Sequence, residues 1–273
     1  MPVAHTIEPG KVRPPAVAGR FYPSDPVELR QLVTGLLAQT PPAIGPAPKA
    51  LIAPHAGYLY SGPIAASAYA RLRPARDLIK RIVLFGPSHY VALDGLATTS
   101  ADAFATPLGL VPVDVEAVRA VRSLPQVREL DEAHALEHSL EVQLPFLQCV
   151  LGEFTLVPLA VGEATPEEIS QVLDALWGGP ETCFVVSSDL SHYCDSQTAR
   201  RLDRATAKAI EALKPAGIGE ERACGRMPIR GLLQAARRHG LRARTVDLRN
   251  SGDTAGPHDR VVGYGAFVFE ETR

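Results

Sequence analysis

Cysteine is scarce in this chain of 273 residues, and its four copies (Cys149, Cys183, Cys194, Cys224) are too far apart to form any CxxC pair. That excludes a zinc ribbon and a thioredoxin-type motif. Cys149, in an apolar helical stretch, and Cys183, at the opening of a strand, read as small buried hydrophobes. A reduced, cytoplasmic chain with four free thiols is expected. Long apolar runs are also missing: none approaches the ~18–20 residues of a membrane span. Residues 1–10 lack the basic and then apolar blocks of a secretory leader. Lysine is rare, 5 copies against 23 arginines, and the formal charge is only −2. With no basic run in the sequence, nucleic acid is not an expected partner. Internal repeats and low-complexity segments are absent as well, so one domain over residues 1–273 is expected.

The chain does contain apolar material in short, punctuated runs, 46% of its residues being hydrophobic against 21% charged. Residues 50–53, 81–85 and 183–186 are apolar runs bounded by Gly, Pro and Ser, and read as buried strands of a parallel sheet. Further strands are predicted over 154–161, 242–248 and 261–269, with short β segments within 96–113. Residues 12–23 read as an extended arm. A helix follows, with Asp25 as N-cap, Pro26 at its first position and Glu28 closing a capping box. The four prolines of residues 40–48 make a stiff connector, too short to separate domains. Helices are predicted over 63–72, 114–123, 136–151 (despite Pro145), 195–213 and 228–239, and another opens at the capping box Thr165-Pro166-Glu167-Glu168. Strands alternating with helices give an α/β domain with a central, largely parallel sheet covered on both faces.

Three histidines lie just past the ends of apolar runs: His55 in Pro54-His55-Ala56-Gly57-Tyr58, His89 in Gly86-Pro87-Ser88-His89-Tyr90, and His192 in Ser187-Ser188-Asp189-Leu190-Ser191-His192. In a parallel sheet, ligands bind outside the carboxyl ends of the strands, so these turns point to a shared metal or acid–base site. A loop histidine that merely caps backbone groups is the plain alternative for each one alone. Asp189 and His192 are three apart, and a helical turn starting there places both on one face, with Asp189 orienting the imidazole. Asp189 as a simple N-cap is the structural alternative. His134, His138 and Glu141 carry i, i+4 and i+7 spacing, which on a helix is either a solvated polar stripe or a rival site. Support of the main pocket by His138 or Glu141 is the stronger expectation. Cys224, before Gly225 near a helix start, reads as a thiol of lowered pKa open to a metal, or as a buried structural cysteine. Tyr58, Tyr60 and Tyr90 flank the histidine turns, where they either line a pocket for a planar substrate or pack into the core.

In their order along the chain, these segments resemble the Memo family, whose prokaryotic members are called AmmeMemoRadiSam system protein B. The matching text is RPPAVAGRFYP (13–23), APHAGYLYSG (53–62), GPSHY (86–90), EHSLEVQLPFLQ (137–148), SSDLSHY (187–193), CGR (224–226), NSGD (250–253) and VVGYGAF (261–267). The family's fold is similar to that of the class III, LigB-like extradiol dioxygenases. The resemblance implies a metal held by His55, His89 and Cys224, with His192 and Asp189 beside it. Fe(II) is the expected metal and copper its competitor. The dioxygenases complete their iron site with a carboxylate; Cys224 stands at that position here, so ring cleavage does not carry over by itself. Two functional readings follow. One is a metal-dependent oxidoreductase, possessing an acid–base His192 and acting on a small planar substrate. The other is a non-catalytic module that binds a metal or a peptide tail, working with radical-SAM and AMMECR-type proteins.

Overall fold

The computed structural model describes residues 10–43 and 45–271. Most of the leader reading at residues 1–10, and Ile44 of the proline connector, therefore lie outside the described residues. In chain order the strands are β1 (Val12–Arg13), β2 (Ala50–Ala53), β3 (Arg81–Pro87), β4 (Leu96–Thr98), β5 (Ala103–Thr106), β6 (Gly109–Pro112), β7 (Val127–Glu129), β8 (Thr155–Val161), β9 (Thr182–Ser187), β10 (His192–Cys194), β11 (Leu241–Asn250) and β12 (Val261–Glu271). The α-helices are α1 (Pro26–Ala38), α2 (Tyr58–Tyr69), α3 (Val115–Val121), α4 (Glu132–Ala135), α5 (Leu144–Val150), α6 (Pro166–Ala175), α7 (Ser196–Glu211) and α8 (Arg226–Arg238).

The main sheet runs β10-β12-β2-β9-β3-β8-β4-β7, with β11 paired to β12. Its centre, β2-β9-β3-β8, is parallel. β12 joins β2, and β4 joins β8, in antiparallel fashion. The sheet is thus α/β with a parallel centre and mixed flanks. The parallel strands are the continuous apolar runs of the sequence, and Leu51, Ile52, Ile82–Phe85 and Phe184–Val186 are fully buried, as expected for strands covered on both faces. A second, small sheet is built from β1, β5 and β6. Among the described residues no helix is long and apolar enough to cross a membrane, and all four cysteines are free.

Three local expectations are corrected. The helix predicted over 136–151 is broken: α4 ends at Ala135, a 3₁₀ turn covers Glu141–Gln143, and α5 begins at Leu144 with Pro145 in its first turn. Proline has no N–H for the preceding turn and is at home only where a helix starts. Consequently His134, His138 and Glu141 share no helical face. Second, residues 188–191 form no helical turn; His192 opens β10, which pairs with β12 through an irregular register. Third, α2 begins at Tyr58 rather than Pro63, because the Tyr58 N–H donates to the carbonyl of Phe21 (2.8 Å). That anchor from the N-terminal arm is not visible in local sequence. Helix caps, by contrast, follow local rules. The Asp25 carboxylate accepts from Val27 and Glu28, but among the described residues no return bond from Glu28 closes the expected box; Thr165 and Glu168 do form a reciprocal capping box.

Candidate metal centre

The parallel strands β2, β9 and β3 lie side by side, Ala53 in register with Ser187 and Phe85 with Val186. Their carboxyl ends therefore deliver His55, the 187–189 turn and His89 to one edge. Gly86 permits the closest approach: a Cβ there would sit 2.6 Å from Ser139 Oγ. The 137–139 turn thereby closes over the end of β3 and inserts His138. The donor atoms of His55, His89 and His138 lie within 4.8 Å of one another. The His89 and His138 rings stack (4.8 Å between centroids, 20°), and the His55 ring stands edge-on to both.

Two of these rings are fixed in a ligand-ready tautomer. Ser187 Oγ donates its single hydrogen to the Ser139 carbonyl (2.5 Å) and accepts from Gln143 Nε2 (2.8 Å). The contact of His55 Nδ1 with the same oxygen (2.9 Å) must then be an N–H donation, which leaves the lone pair on Nε2. His89 Nδ1 and its backbone N–H both face the Glu137 carboxylate, at 2.9 and 2.6 Å. Burial pushes the Glu137 carboxyl up, but bonding to His89 and the Ser139 N–H outweighs this and brings it down to about 2. An ionised carboxylate can only accept, so Nδ1 of His89 carries hydrogen and, in the neutral ring, Nε2 carries the lone pair. Burial, then the neighbouring His89 and His138, hold His55 well below the usual imidazole range, so it is neutral. Nδ1 of His138 is buried without a hydrogen-bond partner, 3.5 Å from the Glu137 carboxylate. Neutral imidazoles with directed lone pairs, an orphaned ring nitrogen and a supporting carboxylate fit a bound divalent metal.

Cys224 is placed at the edge of this cluster, its Sγ 3.3 Å from His55 Nε2. Gly225 allows it: a Cβ there would lie 2.8 Å from the Ser187 carbonyl and 2.7 Å from the Ser188 Cβ. The expectation of an activated thiol is corrected. Burial and the nearby Asp189 push the Cys224 thiol up to about 12, outweighing the Asp189 N–H (3.2 Å) and the Gly225 amide, which lower it. Asp189 itself does not orient His192. Its carboxylate accepts the His55 N–H (2.8 Å) and bonds the Ala56 amide, fixing the turn that carries His55, while burial raises it to about 6. His192 Nδ1 donates instead to the carbonyl of Leu190 (2.8 Å), which leaves Nε2 as the basic nitrogen. The next residue, Tyr193, has φ of 61°, an uncommon backbone for a bulky residue and one often tied to a functional site.

His134 donates to the Ala97 carbonyl (3.1 Å) and takes no part in the centre. Glu141 is buried in a different role. It pairs with Arg13 and accepts from the N–H groups of Ala16 (2.7 Å) and Val17 (3.0 Å) and from the Tyr22 hydroxyl (2.5 Å). Tyr58 donates to the Val142 carbonyl and belongs to the core, whereas Tyr60 and Tyr90 are exposed. Sequence reasoning did not single out Glu137, Ser187 as a histidine partner, or Gln143. The adjacency of Glu137 to His138 was the one available signal.

The family model described as Memo-like protein matches residues 13–268. The chain is similar to a MEMO1 family protein of Aquifex aeolicus, with 36% identity covering 95% of this chain and 99% of that one. It is likewise similar to MEMO1 family proteins of Methanosarcina barkeri (37%, covering 95% and 100%) and Aeropyrum pernix (39%, covering 94% and 99%). Among solved structures, an uncharacterized protein from Escherichia coli K12 matches with 12% identity and a TM-score of 0.47, covering 80% of this chain and 98% of that one.

Proposed function

We propose that this chain, which belongs to the Memo family, is a metal-dependent redox enzyme acting on a small, planar, oxygen-bearing substrate. The observation that carries the reading is the convergence of His55, His89 and His138 within 4.8 Å, two of them held in tautomers that direct Nε2 lone pairs away from their supports. His55 and His89 serve as ligands. His138 supplies the third imidazole, and Cys224, beside His55, is the further donor that the family resemblance implies. Fe(II) is the expected ion and copper the competitor, since imidazole suits both and a thiolate favours the softer one. When bound, the metal supplies Lewis acidity and one-electron redox chemistry.

The chain's own groups supply the rest. Asp189 holds the His55 turn, Glu137 holds His89, and His192 takes or gives a proton at Nε2 while Leu190 retains the hydrogen on Nδ1. Radical-SAM and AMMECR-type proteins are the partners the resemblance brings to this reading. The test is anaerobic reconstitution. Wild type should bind about one Fe(II) per chain, and His55→Ala and His89→Ala should each abolish binding without unfolding. His138→Ala and Cys224→Ser then show which of the two completes the set. His192→Ala should keep the metal and lower O₂ consumption in a panel of catechol-like diols by roughly 10²–10⁴-fold. Full metal occupancy in the His55→Ala/His89→Ala double variant would sink the proposal.

A further inference from the structure

Helix α7 buries one face, with Ala199, Asp203, Thr206, Ala207 and Ile210, and packs against β11 and β12. Its other face is cationic. Arg200, Arg201, Arg204 and Lys208 are exposed there and line a surface cavity of about 550 Å³, which has no carboxylate in its lining. A second cavity, of about 280 Å³, shares Arg200 and Arg204 and adds Arg249 from the end of β11. Two acids line that second cavity, and both are engaged: Asp253 pairs with Arg200, and the buried Asp203 accepts the Ser191 N–H at 3.0 Å. Arg249 pairs with Asp247. Among the described residues, Arg201, Arg204 and Lys208 have neither an ion pair nor a side-chain hydrogen bond.

Helix stability does not explain this stripe. Residues four apart on a helix are neighbours, and like charges there are destabilising. Arg200, Arg204 and Lys208 make two such pairs in succession. On α8 the cations are answered instead: Arg238 pairs with Glu167 and Asp174, and Arg226 with Glu163. The α7 stripe lacks such acids, so its complement is negative charge brought from outside the chain. The spacing says in what form. Arg200, Arg204 and Lys208 recur every ~6 Å along the helix axis, strung out rather than converging on one point, so a single small anion meets only part of the stripe. Alternate side chains of an extended peptide recur every ~6.6 Å on one side of the chain, which matches. A nucleic acid strand fits less well, because neither cavity is lined by an aromatic ring on which bases could stack, and the formal charge of −2 gives no overall attraction to a polyanion.

We infer that the outer face of α7 is a docking surface for an acidic, extended segment of a partner protein, its carboxylates pairing with Arg201, Arg204 and Lys208. The surface is separate from the histidine cluster and stands or falls independently of the redox reading.

The probe is a fluorescein-labelled hexaglutamate peptide, followed by fluorescence anisotropy at about 50 mM salt, where exposed charges are only partly screened. Wild type should bind it, with affinity falling as salt rises. Arg201→Gln/Arg204→Gln removes two cations of the stripe and puts a comparable helix former in their place. Its dissociation constant should rise roughly fivefold or more, the worth of two exposed ion pairs, with thermal unfolding no lower than in wild type. Arg237→Gln/Arg242→Gln removes the same charge at exposed positions outside the stripe and should bind as wild type does. Lys208→Gln alone should show a smaller loss than the stripe double variant. Equal weakening in the two double variants would overturn the assignment, by reducing it to general charge attraction, and so would failure of wild type to bind the peptide. Loss of thermal stability in the stripe variant would overturn it by making these cations structural. Tighter binding of a labelled deoxythymidine decamer than of hexaglutamate would give the face to nucleic acid. Self-association in sedimentation that disappears in the stripe variant would give it to a second copy of the chain, and either result would overturn the inference.

Discussion

An imidazole can present a lone pair to a metal only if its other nitrogen keeps the hydrogen, and that hydrogen must have somewhere to go. Ser187 and Glu137 provide the acceptors for His55 and His89. Glu137 is the more exacting of the two, because one carboxylate receives the ring N–H and the backbone N–H of His89 together with the Ser139 amide. Glu137→Gln keeps the size but turns one acceptor into a donor, so an N–H of the amide is set against an N–H of His89. Metal affinity should fall by about 10–100-fold, the usual effect of losing a supporting partner, with secondary structure retained. Competition against a chromogenic chelator measures it, and wild-type affinity in Glu137→Gln would show that the ring is held by other means.

Between elements, the N-terminal arm and the 134–141 segment form one clamped unit. Arg13 pairs with Glu141 and donates to the carbonyls of His134 (3.0 Å) and Glu137 (2.6 Å), with both charged side chains buried. Arg13→Met leaves the Glu141 carboxylate buried with only neutral donors. Removing one partner of such a pair costs about 3–5 kcal/mol, readable as a lower urea midpoint with unchanged slope; a loss below about 1 kcal/mol would contradict the clamp. This unit also marks where sequence reading gave out. His55, His89 and the 187–189 turn were legible because a buried parallel strand announces itself as a short apolar run, and its carboxyl end is fixed by the next Gly, Pro or Ser. Cys224 was legible only through the family resemblance. His138 was legible as a support of the pocket but not as a member of the histidine cluster, since its position depends on the break before Pro145 and on Glu141 reaching an arm more than 100 residues earlier in the chain. The mutual placement of Asp189 and His192 was misjudged for a related reason: β10 exists only by pairing with β12, which lies 67 residues or more further along.

Across the whole molecule, the same burial that holds the centre builds opposing titrations. Asp189 and Asp203 are raised to about 6 by burial, while His134 is lowered to about 4 and His55 and His138 are lowered as well. A carboxyl with a raised folded pKa gives stability that is full below its unfolded value and is lost as pH rises through about 6. A histidine with a lowered pKa does the reverse between about 4 and 6.5, since the unfolded chain takes up the proton first. The two slopes oppose one another, so metal-free protein should show a shallower pH dependence of stability from about pH 4.5 to 6 than either set of groups would give alone. Asp203 lies apart from the histidine cluster, accepting the Ser191 N–H at 3.0 Å. Asp203→Asn removes one falling contribution, worth up to ~3 kcal/mol for a shift of about two units, and leaves those of the histidines. Its stability should therefore rise with pH over that window and exceed wild type most clearly above pH 6. Urea unfolding at several pH values reads this directly; parallel pH profiles for the two proteins would mean that the Asp203 carboxyl is already ionised in the fold at low pH.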